Sequence, residues 1–142
     1  MQRILIDTDV ILDFFFDRRP FVDDAAAILS LCELKKISGF VTPVIVSNVY
    51  YLLRQGAKHD IVIQKLTELM TIIDVLSIDK QVIQTALTSD FKDFEDALQN
   101  FAAVNEGTID CVVTRNVKNF KNSYLSVMTP DTFLSFYKSR IH

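Results

Sequence analysis

Apolar residues fall along this chain in short runs that stop at a polar side chain, alternating with longer stretches where they recur every three or four positions. Residues 3–6 form the first run, which stops at Asp7. Residues 10–16 read as a first helix and residues 21–34 as a longer one, with Ala25, Ile28, Leu29 and Cys32 at helical spacing. Residues 39–41 give a second strand. Thr42-Pro43 then supplies an N-cap followed by proline at the first helical position, opening a helix through residue 53. A helix over 61–70, a strand over 72–76, a helix capped by Asp79 through 87 and another capped by Asp93 through 104 follow. Residues 111–113 make a strand ending at Thr114, and residues 126–128 make a fifth. Thr129-Pro130 repeats the cap-and-proline pattern before a last helix containing Phe133, Phe136 and Tyr137.

Short, nearly all-apolar strands alternating with helices imply a parallel sheet covered on both faces. The expected architecture is α/β: a three-layer α/β/α sandwich around a central, mostly parallel sheet of about five strands, with residues 1–142 as one domain. In such sheets ligands bind outside the carboxyl ends of the strands. The residues closing the strands are therefore the ones to examine: Asp7, Thr42, Ser77, Thr114 and Thr129, with Asn116 just beyond. All are polar.

Composition narrows the classes. With 49% hydrophobic residues among 142, only 3 Gly and 3 Pro, and a mean hydropathy of +0.23, the chain is neither disordered nor loop-rich. Fifteen Lys+Arg against 18 Asp+Glu leave a net charge of -3, so any grip on nucleic acid must be local and not by bulk charge. Cys32 and Cys111 form no CxxC, and His59 and His142 stand alone, which excludes zinc of the finger or ribbon type. Both cysteines read as small apolar core residues. Asp7 and Asp9 interrupt the start before any signal-peptide apolar region can form, and no apolar run approaches a membrane span. A cytoplasmic protein with no membrane partner is expected.

The candidate chemistry is acidic. Asp7 serves equally as a helix N-cap or as a strand-end ligand. Asp9 and Asp13 read as a first-turn acid and a solvated helix face. In DFKDFEDALQNFAA, Asp93 caps a helix and Asp96 falls in its first turn, beside the apolar stripe of Phe94, Ala97, Leu98 and Phe101. Asn48 sits mid-helix, where its amide competes with the backbone. Asn116 and Asn119 follow Thr114 in a turn, with Arg115 and Lys118 alongside. If the strands ending at Asp7 and Thr114 are central, then Asp7, Asp96, Asn48 and Asn116 converge on one small cleft. Two carboxylates about 4 Å apart repel by about 4 kcal/mol at an effective dielectric of 20, so they stay ionised only with a cation between them. All-oxygen donors select Mg²⁺ or Mn²⁺, and the chemistry implied is metal-assisted attack of water on a phosphate ester.

On LIDTDVILD, DFEDALQ and CVVTRNVKNF the whole chain resembles a PIN domain, the fold of VapC-type toxin ribonucleases and related Mg²⁺-dependent nucleases. The resemblance implies a first acid at Asp7 and a third at Asp96, both toward metal. It places the second and fourth acid positions at Asn48 and Asn116, where this chain carries neutral amides. It further implies that Asp9 and Asp93 compensate as supporting acids, that Thr114 orients Asp7, and that Asn48 and Asn116 hydrogen-bond waters or phosphate. Arg115 and Lys118 become candidate nucleic-acid contacts. The expected activity is Mg²⁺ (or Mn²⁺)-dependent hydrolysis of single-stranded or structured RNA, with an antitoxin protein or a second copy of the chain as partner.

Two other readings compete. A PIN-like module that binds RNA or protein without cleaving accounts for the two amides. The Phe14–Phe16 run and Phe21 offer it an interface. Asp7-Thr8-Asp9-Val10 also fits the opening motif of haloacid-dehalogenase-like phosphatases, with Asp7 as nucleophile and Asp9 as acid/base, although Asp93 and Asp96 then follow a helix where that fold needs a strand.

Overall fold

The computed structural model describes residues 1–141; His142, one of the two isolated histidines, lies outside them. Strand β1 (Arg3–Ile6) leads through α1 (Thr8–Phe15) and α2 (Val22–Glu33) to β2 (Ser38–Val41). Helices α3 (Pro43–Leu53) and α4 (His59–Met70) connect to β3 (Asp74–Val75), and α5 (Lys80–Leu87) and α6 (Phe94–Glu106) to β4 (Cys111–Val113). A 3-10 turn at Val117–Phe120, β5 (Ser126–Met128) and α7 (Pro130–Ser139) complete the order. The five strands form one sheet in the order β3-β2-β1-β4-β5, every pair parallel. The three-layer α/β architecture read from the sequence is the one observed.

The topology places the site. Chain order runs outward from β1 through β2 to β3, then returns to the other side of β1 for β4 and β5. The reversal falls between β1 and β4, which is where open parallel sheets leave a crevice for ligands. Ile4 pairs with Cys111 and Ile6 with Val113 in register, so the residues after them, Asp7 and Thr114, emerge side by side. Ile4, Leu5, Ile6, Val112 and Val113 are wholly buried, as a central strand pair covered on both faces requires.

Local chemistry fixes the boundaries. Asp7 Oδ1 accepts from the Thr8 N–H at 2.8 Å, and that cap starts α1 at Thr8, two residues before the apolar pattern alone suggests. Thr42, Asp79 and Asp93 cap α3, α5 and α6 through their side-chain oxygens as expected. Thr129 does not: its hydroxyl donates to Asp131 Oδ1 at 2.6 Å, leaving α7 to start on Pro130 without a side-chain cap. The expected strand 72–76 shrinks to the two exposed residues Asp74–Val75, because the Ile72 and Ile73 N–H groups both close onto Leu69 O at the end of α4. Gly107 ends α6 at φ 80, a left-handed turn that glycine adopts without strain. At Gly39 a Cβ would come within 2.7 Å of Cys32 Sγ, so β2 and α2 meet there only through the missing side chain.

Cys32 and Cys111 are buried, and burial pushes both thiols up to about 12, away from thiolate reactivity. Phe120 and Phe133 fill the core, whereas Phe14, Phe16 and Phe21 keep more than a third of their surface exposed. Among the described residues no helix is long and apolar enough to cross a membrane.

Candidate active site

An open cleft of about 530 Å³ lies over the carboxyl ends of β1 and β4. Asp7, at the end of β1, forms its floor and is only 8% exposed. Its two oxygens are fixed by different elements: Oδ1 by the Thr8 N–H at 2.8 Å, and Oδ2 by the Thr114 hydroxyl at 2.8 Å. Thr114 is itself fully buried and stands behind Asp7, receiving the Asn116 N–H on its own oxygen at 3.0 Å.

The N-terminus of α6 forms one wall. Asp93 caps it by accepting the Asp96 N–H at 3.0 Å, and Asp93, Glu95 and Asp96 all line the cleft. Asn48, on α3, faces them and donates from Nδ2 to Glu95 Oε2 at 3.0 Å. Gln99, one turn beyond Asp96, is buried and accepts the Thr42 hydroxyl, which ties α6 to the start of α3. On the opposite side Asp9 Oδ2 receives the Arg115 N–H at 3.1 Å and the Asn116 amide at 3.3 Å. The other oxygen, Asp9 Oδ1, is buried with no hydrogen-bond partner among the described residues.

These carboxyls are hard to ionise together. Burial raises Asp7 above the ordinary carboxylate range, offset in part by Thr114 and Thr8 and reinforced by Asp93 and Glu95. Burial and then the Asp7 charge push Asp9 up to about 6. Asp96 reaches about 7, again from burial first, then Asp7 and Asp93. The donor set is all oxygen, one buried carboxylate oxygen is unsatisfied, and a cation among the acids would relieve the repulsion; these features fit a hard divalent ion. Among the described residues no group of three or more His, Cys, Asp or Glu side chains is placed to hold a metal ion; Mg²⁺ needs only one or two carboxylates when water and phosphate complete its octahedron.

The basic residues are arranged differently from the sequence expectation. Arg115 does not line the cleft. Its guanidinium grips Asp13 through Nε at 2.7 Å and Nη2 at 3.1 Å, and lies 4.0 Å over the Phe21 ring. The Asp13 contact raises the Arg115 pKa further. Asp13 is accordingly not a solvated helix face but is 1% exposed, because a bidentate arginine from the loop after β4 neutralises it. Lys118 lies outside the cleft lining as well. The cation that does reach the cleft is Arg18, which also approaches Asp13 at 3.6 Å with its side chain 42% exposed.

Asp7, Asp9, Asp93, Asp96, Asn48 and Asn116 are thus brought to one cleft, with Thr114 directly beneath. Sequence reasoning missed Glu95 and Arg18. Glu95 carries no signal of its own in the chain beyond its place next to Asp96 in the first turn of α6. Arg18 sits in the loop after α1, with nothing in its neighbours to say that its side chain reaches the cleft.

Several solved structures share the fold. VapBC-1 from nontypeable Haemophilus influenzae matches with a TM-score of 0.68 at 15% identity, over 92% of this chain and 99% of that one. A toxin-antitoxin complex from Klebsiella pneumoniae gives 0.65 at 19% identity, over 89% and 97%. VapC20 from Mycobacterium tuberculosis, a sarcin-ricin loop cleaving toxin, gives 0.58 at 17% identity, over 77% and 86%. At these identities the likeness is one of fold. No curated protein matches the chain. The family model of the PIN domain matches residues 3–118, a span that opens with β1 and takes in every carboxylate of the cleft, and the chain belongs to the PIN domain family.

Proposed function

We propose that this protein is a metal-dependent ribonuclease, hydrolysing phosphodiester bonds of single-stranded or structured RNA with Mg²⁺ or Mn²⁺, as the toxin of a toxin–antitoxin pair. The observation that carries the reading is Asp7: a buried carboxylate pinned by Thr114 at the β1/β4 crevice, in the same cleft as Asp96. Asp7 and Asp96 would hold the cation. When bound, such an ion polarises a phosphoryl oxygen and lowers the pKa of a coordinated water.

The chain's own groups do the rest. Thr114 orients Asp7. Asp9 and Asp93 add negative potential at the rim. Asn48 and Asn116 offer amide groups to phosphate oxygens or ordered water without adding charge. Arg18, the cation within the cleft lining, is placed to meet the phosphate backbone as it enters. Lys118, exposed on the turn after β4, serves as an outer contact. The exposed Phe14, Phe16 and Phe21 around α1 offer an apolar surface for an antitoxin segment or a second copy of the chain.

The amides at Asn48 and Asn116 favour a second reading, a PIN-fold module that binds RNA or protein without cutting. Incubating the purified chain with single-stranded RNA, with and without Mg²⁺ or Mn²⁺, separates the two. Cleavage that needs the metal and disappears in Asp7→Asn supports the nuclease. RNA retained intact by both proteins supports the module. The phosphatase reading rested on Asp7 and Asp9 alone, and membership of the PIN family takes its place.

A further inference from the structure

Two positions where PIN domains carry acids hold amides here, and each amide donates to an acid that the family pattern does not call for. Asn48 Nδ2 reaches Glu95 Oε2 at 3.0 Å across the cleft, from α3 to the first turn of α6. Asn116 Nδ2 reaches Asp9 Oδ2 at 3.3 Å, from the turn after β4 to the first turn of α1. Neither contact is dictated by chain proximity, since the partners are 47 and 107 residues apart.

The geometry assigns to Glu95 the charge that position 48 lacks. Resting on the reading of the cleft as a divalent-cation site, we infer that Glu95 holds the ion through a water molecule, with Asn48 fixing its carboxylate. An amide that donates through Nδ2 must turn its carbonyl the other way, so Asn48 clamps the acid with one end and keeps a neutral oxygen for water with the other. Glu95 commits Oε2 to Asn48 and keeps Oε1. Consecutive residues on a helix point about 100° apart, so Glu95 and Asp96 approach the cleft from different directions. The longer side chain of Glu95 reaches across to α3. The bland account, an acid favoured by the α6 dipole, explains Glu95 in the first turn but gives no reason for it to face Asn48.

Mn²⁺ binding to the full chain, followed by the electron paramagnetic resonance of the free ion, tests this without recourse to activity. Glu95→Gln should weaken Mn²⁺ binding by about tenfold or more, the range for groups that support a metal from beyond its direct ligands. Asn48→Glu combined with Glu95→Gln, which moves the charge back to α3, should return affinity to within about threefold of wild type. Circular dichroism confirms that each variant is folded. Glu95→Gln binding like wild type, or a double variant no better than the single one, overturns the assignment of Glu95 and leaves the cation site standing. Wild type that binds no Mn²⁺ at millimolar concentration, or Asp7→Asn that binds as wild type does, overturns the cation site and this inference with it.

Discussion

The Thr114 hydroxyl donates a 2.8 Å hydrogen bond to Asp7 Oδ2, joining the ends of adjacent strands whose residues are 107 apart in the chain. Both partners are buried, so the bond is shielded from water and the carboxylate depends on it. Thr114→Val keeps the shape and removes the donor. It should cost about 1–3 kcal/mol in urea unfolding and lower kcat far more than it changes KM on RNA. Thr114→Ser should restore most of both. Equal unfolding midpoints for wild type and Thr114→Val would count against this linkage.

Stability of the metal-free protein should fall as pH rises. Asp9 at about 6 and Asp96 at about 7 lie above the ordinary 3.8, and Asp7 is raised as well. The folded state therefore keeps protons that the unfolded chain releases from about pH 4 upward. The stabilisation is complete below that range and is lost as pH rises through 6 and 7. Asp131 is lowered, so its titration belongs below this window. Melting curves between pH 5 and 8 should show a falling Tm that Mn²⁺ flattens. Asp96→Asn should raise the metal-free Tm at pH 8 by on the order of a few degrees. A metal-free Tm that climbs with pH across this range would contradict the electrostatic picture.

Arg115 and Arg18 should separate by phenotype. Arg115→Gln leaves Asp13, 1% exposed, with only the 3.6 Å approach of Arg18. Stranding a buried charge this way should cost about 3 kcal/mol in chemical denaturation. Arg18→Gln should leave the melting temperature nearly unchanged. Measured by fluorescence anisotropy in an Asp7→Asn background, it should weaken single-stranded RNA binding and reduce the salt slope by about 0.7. If Arg18→Gln left both affinity and salt slope untouched, the cleft would not be the path of the phosphate backbone.

The parts of this site that could be read from sequence are those set by local rules. Asp7 and Thr114 were visible because an apolar run stops at each, and a parallel sheet must present such residues at one rim. Thr42, Asp79 and Asp93 were visible because N-cap chemistry is encoded within three residues. Asp13 was misread as solvated because its neutralising partner, Arg115, lies 102 residues away. Glu95 was hidden for the same reason: nothing near it in the chain announces Asn48 on another helix. Thr129 shows the converse, a local signal diverted by a nearer acceptor, Asp131. β3 is shorter than its apolar run because the turn that ends α4 takes the Ile72 and Ile73 N–H groups, a competition hydropathy does not show.

Asp7 and Asp96 should share one divalent ion. Crystals of the wild-type chain grown with Mn²⁺ and measured near the manganese absorption edge test it directly through anomalous difference density. A peak is expected within coordination distance of a carboxylate oxygen from each residue, about 2.0–2.6 Å for hard cations on oxygen. Density at some other group of side chains, or none in this cleft at millimolar Mn²⁺, would contradict it.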